Sequence, residues 1–211
     1  VHKAVEAAAT GFSYRTAVVF AQPDDALPLV KTAFDRAETP QAKLNYAQLL
    51  CLLGDKGGVD VVLAAVEKEP WDKGWNFKGM GQFGASMSKL DAKILALGYA
   101  KDAKAVPALV KMAADVKADA EFSHFRALAR AFELIGDKAA APALARLLTL
   151  KPAAKGDKLP DRAEALREIT LARALVRCGD VDGLGKATLE RYLNDPRGHF
   201  ARHAHAVLQA T

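Results

Sequence analysis

Apolar residues recur along most of this chain at intervals of three and four, which is the spacing of one face of an α-helix. Such stripes are formed by Phe125, Leu128, Phe132 and Ile135, by Leu109, Met112 and Val116, and by Leu171, Leu175 and Cys178. No stretch alternates as a half-buried strand does. The pattern predicts an all-α fold with helix pairs at about 12–38, 40–69, 88–117, 123–150 and 161–194 and a closing helix at about 198–210.

A recurring glycine divides these pairs. Four segments end one apolar stripe at a glycine and open another a few residues later, and the glycines lie 44, 38 and 43 residues apart at Gly54, Gly98, Gly136 and Gly179. Glycine just past a helix accepts the left-handed conformation that closes its C-terminus. The spacing indicates a repeat of two helices joined by a short turn.

Signals for helix starts agree with this division. Proline costs no hydrogen bond at a first helical position, which suits Pro107, Pro142 and, in a degenerate first repeat, Pro28. Ser88 with Asp91 and Asp161 with Glu164 have the spacing of capping boxes, and Thr39 precedes Pro40. These residues predict where the helices begin.

The repeat length, with its Gly-Asp and proline punctuation, resembles short HEAT repeats of the phycobilisome-lyase type over nearly the whole chain. The resemblance implies a right-handed α-solenoid of about five HEAT-like helix pairs plus a closing helix, forming one domain over residues 1–211. It also implies a concave face on which a partner sits. Two loops, 70–88 and 151–160, interrupt the repeats.

The first of these loops is rich in aromatic side chains and glycine. It holds both tryptophans and two phenylalanines, at Trp71, Trp75, Phe77 and Phe83. A long ordered loop is usually functional or packed on its own domain. The sequence leaves both interpretations open: an apolar plug over the adjoining repeats, or a segment that binds a partner or covers a substrate.

The same loop contains GMGQFG at residues 79–84, which fits the dinucleotide fingerprint G-x-G-x-x-G. That fingerprint works where a strand turns tightly into a helix within a βαβ unit. Here an apolar helix precedes the loop and no strand is predicted. The match therefore does not predict a nucleotide site.

Arginines recur at similar places in successive first helices. They are Arg126, Arg130, Arg173, Arg177 and Arg202, with His124 and His203 beside them. Stacked repeats would bring them into a series along one face, where guanidinium groups can bind carboxylates or phosphates in a bidentate manner. A solvated helix surface is the alternative, and this series is our predicted functional surface.

Other candidate chemistry is sparse. His199 and His203 are four residues apart but have no acidic or cysteine companion at matching spacing, so no metal site is predicted. Cys51 and Cys178 lie in apolar helical patterns and are expected to be buried thiols. No apolar run reaches the roughly 18 residues of a membrane span.

The net charge of +5 is uneven, because residues 70–211 hold 23 Lys and Arg against 16 Asp and Glu. A basic region attracts acidic partners, anionic cofactors or nucleic acid. The charges are interspersed, however, so an ordinary solvated surface is also consistent with them. We expect a protein or an adjoining domain as the partner, rather than nucleic acid or a membrane.

A narrower resemblance rests on the strings GWNFKGMGQFG, SKLDAKILALG, SHFRAL, REITLARALVRCGD and DPRGHFARHAHAVL. They resemble the C-terminal region of bacterial FAD-dependent oxidoreductases, in which HEAT-type repeats follow a flavin domain. The resemblance implies that the chain is part of a larger protein whose FAD lies in an upstream domain. No cofactor is expected within the chain itself.

These observations favour a non-catalytic helical-repeat scaffold for interaction between proteins or domains. One alternative is a DNA-binding protein or alkylpurine DNA glycosylase of HEAT-like repeats, with Trp71, Asp72 and Trp75 beside the arginines in the binding roles. Another, by fold analogy alone, is a lyase or chaperone for a bilin. No nucleophile, base and orienting group stand out as a catalytic set.

Overall fold

The computed structural model describes residues 1–75, 88–150 and 161–210. Within those ranges the chain forms twelve α-helices and four short 3-10 turns and contains no strand. The all-α prediction is therefore confirmed, and the arrangement is compatible with an α-solenoid.

The helices follow in the order α1 (His2–Ala8), α2 (Thr16–Ala21), α3 (Pro23–Asp35), α4 (Pro40–Leu52), α5 (Val59–Val66), α6 (Lys89–Ala100), α7 (Val106–Asp115), α8 (Phe122–Ile135), α9 (Ala141–Thr149), α10 (Arg162–Cys178), α11 (Leu184–Arg191) and α12 (Gly198–Gln209). The expected pairs are α2–α3, α4–α5, α6–α7, α8–α9 and α10–α11, followed by the closing helix α12. Helix α1 was not expected from the sequence. The buried amide of Asn45 holds it by donating to the carbonyls of Ala8 and Ala9, at 3.0 and 3.1 Å.

An aspartate organises the turn between the two helices of each later pair. Asp55, Asp102 and Asp137 each accept a hydrogen bond from the backbone N–H two residues on, at 2.8 to 3.0 Å, and so start a 3-10 turn. Asp180 accepts instead from the N–H of Gly185 at 2.6 Å. The recurrent Gly-Asp signal therefore encodes a hydrogen-bonded turn that aims the second helix.

Three of the four glycines end their helices as expected. Gly54, Gly136 and Gly179 have φ of 84°, 72° and 118°, the left-handed region. The expectation for Gly98 is wrong, because α6 continues through it to Ala100 and Lys101 takes the left-handed position with φ of 51°. Gly98 is glycine for a different reason.

That reason is the packing of α6 on α8. A Cβ added to Gly98 would lie 2.5 Å from the Cα of Ala131 on α8, a distance that real Cβ atoms do not show. The missing side chain lets the two backbones approach closely. A glycine that ends a helix and one at a helix crossing look alike in the sequence.

The predicted helix starts are mostly confirmed. Ser88, Asp161 and Thr39 accept hydrogen bonds from the N–H groups of Asp91, Glu164 and Ala42, respectively. Pro107 and Pro142 lie at the second residue of α7 and α9. Pro28 is an exception: it lies inside α3, whose first residue is Pro23.

The first helices of the pairs pack one upon the next, from α4 through α6 and α8 to α10, while α12 packs against α10 and α11. Their apolar faces form one core that runs from Ala47 to Val207. A second core runs from Ala4 to Leu50 beneath α1 and α3. Helix α4 contributes to both. The buried thiols of Cys51 and Cys178 belong to the larger core, and burial raises their pKa values to about 12 and about 11.

Candidate functional site

Three of the predicted arginines converge on one buried carboxylate, Glu133 of α8, whose side chain is only 1% exposed. Its Oε2 accepts from Arg130 at 3.0 Å and from Arg173 of α10 at 2.8 Å. Its Oε1 accepts from Arg177. We call these four residues the arginine cluster, and they tie α8 to α10.

The arginine cluster carries more positive charge than its carboxylate neutralises. Three guanidinium groups face a single Glu133, and the side chains of Arg130 and Arg177 are 36% and 45% exposed. The buried Nε of Arg173 has no hydrogen-bond partner among the described residues. The cluster therefore presents a net positive surface, with guanidinium groups whose donors can still reach an anion.

His203 of α12 borders this cluster, with its Nε2 3.5 Å from Arg173. Burial lowers its pKa, and the neighbouring guanidinium of Arg173 lowers it further. His203 is therefore neutral near pH 7 and adds a polar side chain, but no charge, to the border of the cluster. Arg126 and Arg202 are exposed and have no contact with Glu133, so the structure brings only part of the predicted series together.

His124 lies in a different place from the arginine cluster. Its ring is buried near the start of α8, and its Nδ1 is 2.8 Å from Oδ1 of Asp91 at the start of α6. Asp91 Oδ2 is buried without a partner among the described residues. The His124–Asp91 pair thus links the N-terminal ends of the same two helices that meet at Gly98.

The aromatic segment that follows α5 covers this pair. The ring of Trp71 lies 4.6 Å from that of His124, tilted by 47°. The backbone N–H of Trp75 donates to the Ser123 hydroxyl, the Ser123 N–H donates to the Trp75 carbonyl, and the Trp75 ring meets Phe122 edge-on. Phe77 and Phe83, also predicted as binding residues, lie outside the described residues, as does GMGQFG. The described part of the segment packs on its own fold.

Asp72 has a structural task in this segment. Its carboxylate accepts hydrogen bonds from the Ser88 hydroxyl and from the backbone N–H of Lys89 at 2.8 Å, at the start of α6. Burial would raise its pKa, but these hydrogen bonds and the nearby His124 outweigh that effect and lower it. Asp72 is therefore a carboxylate across the physiological range.

An open cavity of about 390 Å³ lies beside Trp71 and His124. The other described residues of its wall are Asp72 and, from the end of α7 and its link to α8, Asp115, Val116, Lys117, Asp119, Ala120 and Glu121. The charged and titratable groups described in the wall are therefore four carboxylates, one lysine and His124. Such a wall disfavours the phosphate backbone that the glycosylase alternative requires.

Glu133 was missed by the sequence analysis. It follows Phe132, a member of the apolar stripe, in the string AFELIG, and it lies three residues after Arg130. A lone carboxylate at the edge of an apolar stripe, with arginines in the next first helix, is the signal that could have identified it. Glu168 occupies a comparable place on α10, where its Oε2 accepts from the hydroxyl of Tyr192 at 2.8 Å.

Two other arginines, the exposed Arg146 and the buried Arg167, join neighbouring helix pairs rather than form a site. Arg146 donates to the carbonyls of Ala113, in the last turn of α7, and Val116, which follows that helix. Arg167 donates to the carbonyls of Ala118 and Leu150. Guanidinium groups at helix C-termini satisfy carbonyls that lack an intrahelical partner. Part of the basic excess of the chain is therefore used inside the fold.

The His124–Asp91 pair predicts a pH-dependent stability. Burial would lower the pKa of His124, but Asp91, then Glu121 and Asp72, outweigh it and raise the pKa above 6.5. Because the pKa of His124 is higher in the folded than in the unfolded state, its protonated ring stabilises the fold fully below about pH 6.5. This contribution disappears as the pH rises through the raised pKa. We expect the stability advantage of the wild type over His124→Gln to shrink as the pH rises above about 6.5 and through the raised pKa of His124.

Urea unfolding of both proteins at a series of pH values measures this advantage. Taking the difference between the two proteins removes the opposite contribution of His203, whose pKa is lowered. A difference that stays constant or grows with pH would contradict the assignment of His124 as a stabilising cation.

No group of three His, Cys, Asp or Glu side chains could hold a metal ion in residues 1–75, 88–150 and 161–210. His199 is exposed and lies against Phe200, with 4.0 Å between the ring centroids. In the same part of the chain no helix has both the length and the apolar character needed to cross a membrane.

No protein-family model matches the chain, and no curated protein matches it significantly. The class of protein is therefore given by the all-helical fold alone.

Proposed function

We propose that this chain is a non-catalytic helical-repeat module that docks another protein or an adjoining domain. In this proposal it is a right-handed α-solenoid of about five HEAT-like helix pairs with a closing helix. The successive packing of α4, α6, α8 and α10 supports this arrangement, because neighbouring first helices then expose a continuous row of side chains. Repeat proteins use such rows as extended binding surfaces.

The arginine cluster is the observation that carries the proposal. Two guanidinium charges remain after Glu133 is neutralised, and both Arg130 and Arg177 reach solvent. A carboxylate-rich surface of a partner supplies the missing counter-charge with bidentate geometry. The site is built from two first helices, so its spacing is set by the fold and not by a loop.

Four large apolar side chains exposed near the N-terminal end support the same function. Phe12, Val18 and Phe20 are 40–44% exposed and Tyr14 is 82% exposed. Aromatic and aliphatic side chains gathered at a surface commonly mark a contact with another protein. An apolar contact here and an electrostatic contact at the arginine cluster would give a partner two points of attachment.

The resemblance to the C-terminal region of FAD-dependent oxidoreductases suggests the partner. In that case a flavin domain of the same polypeptide precedes the repeats and contacts one of these surfaces. The coding sequence upstream of Val1 tests this context directly. A βαβ unit with a strand-preceded glycine turn is expected there, and its absence would remove the flavin context while leaving the docking proposal intact.

Binding of an acidic peptide tests the arginine cluster. We expect a fluorescent twelve-residue Glu-Ser peptide to bind at low ionic strength and to lose affinity as salt is added, since exposed charges are screened. The double variant Arg130→Gln/Arg177→Gln should bind at least about fivefold more weakly, a loss of about 1 kcal/mol. It keeps the buried Arg173–Glu133 pair, so the fold should be retained.

Arg126→Gln/Arg202→Gln is the matched control, because it removes the same charge from exposed arginines that do not contact Glu133. It should reduce affinity by less than about twofold. An equal loss in the two double variants would show that the peptide responds only to net charge. That result, or the absence of binding at about 20 mM salt, would overturn docking at the cluster.

A further inference from the structure

The cavity beside Trp71 has a chemistry that is separate from the arginine cluster. We propose that it binds a small organic cation that carries N–H donors, either a primary alkylammonium or a guanidinium. Its volume of about 390 Å³ is within the range of small-molecule sites. Its wall includes the indole ring of Trp71, the buried imidazole ring of His124 and several carboxylates.

Charge selects a cation over an anion. Asp72, Asp115, Asp119 and Glu121 contribute four carboxylates, whereas Lys117 and a protonated His124 contribute two positive charges. The described residues of the wall keep an excess of negative charge even with His124 protonated. A carboxylate or phosphate ligand would add to this excess, and an amine or guanidinium neutralises it.

Unsatisfied oxygen atoms lie next to the cavity. Glu121 lines it and has a buried Oε2 with no partner among the described residues. Behind the ring of His124, the buried Oδ2 of Asp91 is also unpartnered. A buried carboxylate oxygen without a donor costs free energy. Positive charge bound in the cavity would lie close to these carboxylates and offset part of that cost.

The buried ring of His124 distinguishes the cavity from a patch of surface carboxylates. Its side chain is 6% exposed and fixed by Asp91 through Nδ1, and its ring lies in the cavity wall. Trp71 packs on that ring. Gly74 approaches so closely that a Cβ there would lie 2.8 Å from Cε1 of His124. The wall is thus built by Trp71, Asp72, residues 115–121 and His124 of α8, whose ring is held by Asp91 of α6.

The carboxylates of the cavity favour a cation larger than a metal ion. No three acidic, histidine or cysteine groups of the described residues come close enough to share a metal ion. A larger cation can contact carboxylates that are farther apart, and N–H groups match the accepting oxygens. The ring of Trp71 adds a π face that attracts cations. These features together favour an organic amine or guanidinium.

Titration with defined amines tests the site. We expect n-butylammonium and agmatine to bind with Kd of about 1 mM, as suits an open site with a few charged contacts. Two-dimensional NMR would follow the indole N–H of Trp71, assigned with Trp71→Phe. Tetramethylammonium has the same charge as n-butylammonium without N–H donors and should bind at least about fivefold more weakly than n-butylammonium.

Substitutions in the cavity wall provide a second test, in which the Kd for agmatine is measured. Glu121→Gln should raise the Kd for agmatine about tenfold, and Asp119→Asn, on an exposed side chain that leaves the fold intact, about threefold. Glu67→Gln removes an equal charge from an exposed position outside the cavity and should leave the Kd unchanged. Lys117→Ala should tighten binding, because it removes the opposing positive charge of the wall.

Several outcomes would overturn the proposal. These are the absence of binding by both amines at about 20 mM, equal binding of tetramethylammonium, and an unchanged Kd in both Glu121→Gln and Asp119→Asn. Binding of lysine-rich peptides without binding of the free amines would also overturn it, since it assigns the surface to a protein partner. None of these results bears on the arginine cluster.

Discussion

Replacing Glu133 with glutamine is expected to lower the free energy of unfolding by about 3 kcal/mol, because it leaves three guanidinium groups packed together without a counter-charge. The side chain of Glu133 is almost fully buried, and its partners span α8 and α10. Arg173 has the least freedom to move into water, since only 21% of its side chain is exposed. Urea unfolding at pH 7 measures the loss.

Glu190→Gln on α11 is the control for this substitution, because Glu190 is exposed and the same group is changed. It should alter the stability by less than about 0.5 kcal/mol. If Glu133→Gln were equally mild, the guanidinium groups would be stabilised by solvent alone, and Glu133 would not organise the cluster. Adding Arg173→Met to Glu133→Gln should recover part of the loss, since it removes the buried, uncompensated charge.

Gly98→Ala is expected to destabilise the protein by about 2 kcal/mol, although alanine is the better helix former by about 1 kcal/mol. The new Cβ would meet the backbone of Ala131, so α6 and α8 must separate to accept it. Thermal or urea unfolding measures the change. The same movement would disturb the His124–Asp91 pair, which joins the same two helices.

Ala131→Gly combined with Gly98→Ala separates two explanations. The shortest contact is with the Cα of Ala131, which glycine keeps, so the double variant should remain as unstable as Gly98→Ala or become less stable. A recovery to wild-type stability would mean that the Cβ of Ala131 sets the approach of the helices. An increase in stability for Gly98→Ala alone would show that helix propensity outweighs packing at this crossing.

The helices could be predicted from the sequence because local signals fix them. Apolar periodicity, the capping residues Ser88 and Asp161 and the prolines at 107 and 142 each act within a few residues of the helix that they start. The assignment of Gly98 was wrong because a close crossing of two helices leaves no local trace. The helix His2–Ala8 escaped prediction because it is short and depends on Asn45, far along the chain.

The candidate site was predictable only in part. Spacing on successive first helices identified Arg130, Arg173 and Arg177 as neighbours, and the structure brings them together. It did not identify Glu133 as their common partner, because burial of a carboxylate depends on contacts between helices. His124 was grouped with the arginines by its position at the start of α8, but it turns toward Asp91 and Trp71.

The aspartate-closed turns have a consequence for how such a chain can change its length. Asp55, Asp102 and Asp137 each bond to a backbone group only two residues away, so the geometry of each turn depends on a short local segment. A gene duplication that copies one helix pair also copies the hydrogen bond that sets its bend. In the proposed solenoid, a copied pair would therefore lengthen the array while the other pairs keep their internal geometry, and the reach of the surface would change without a new fold.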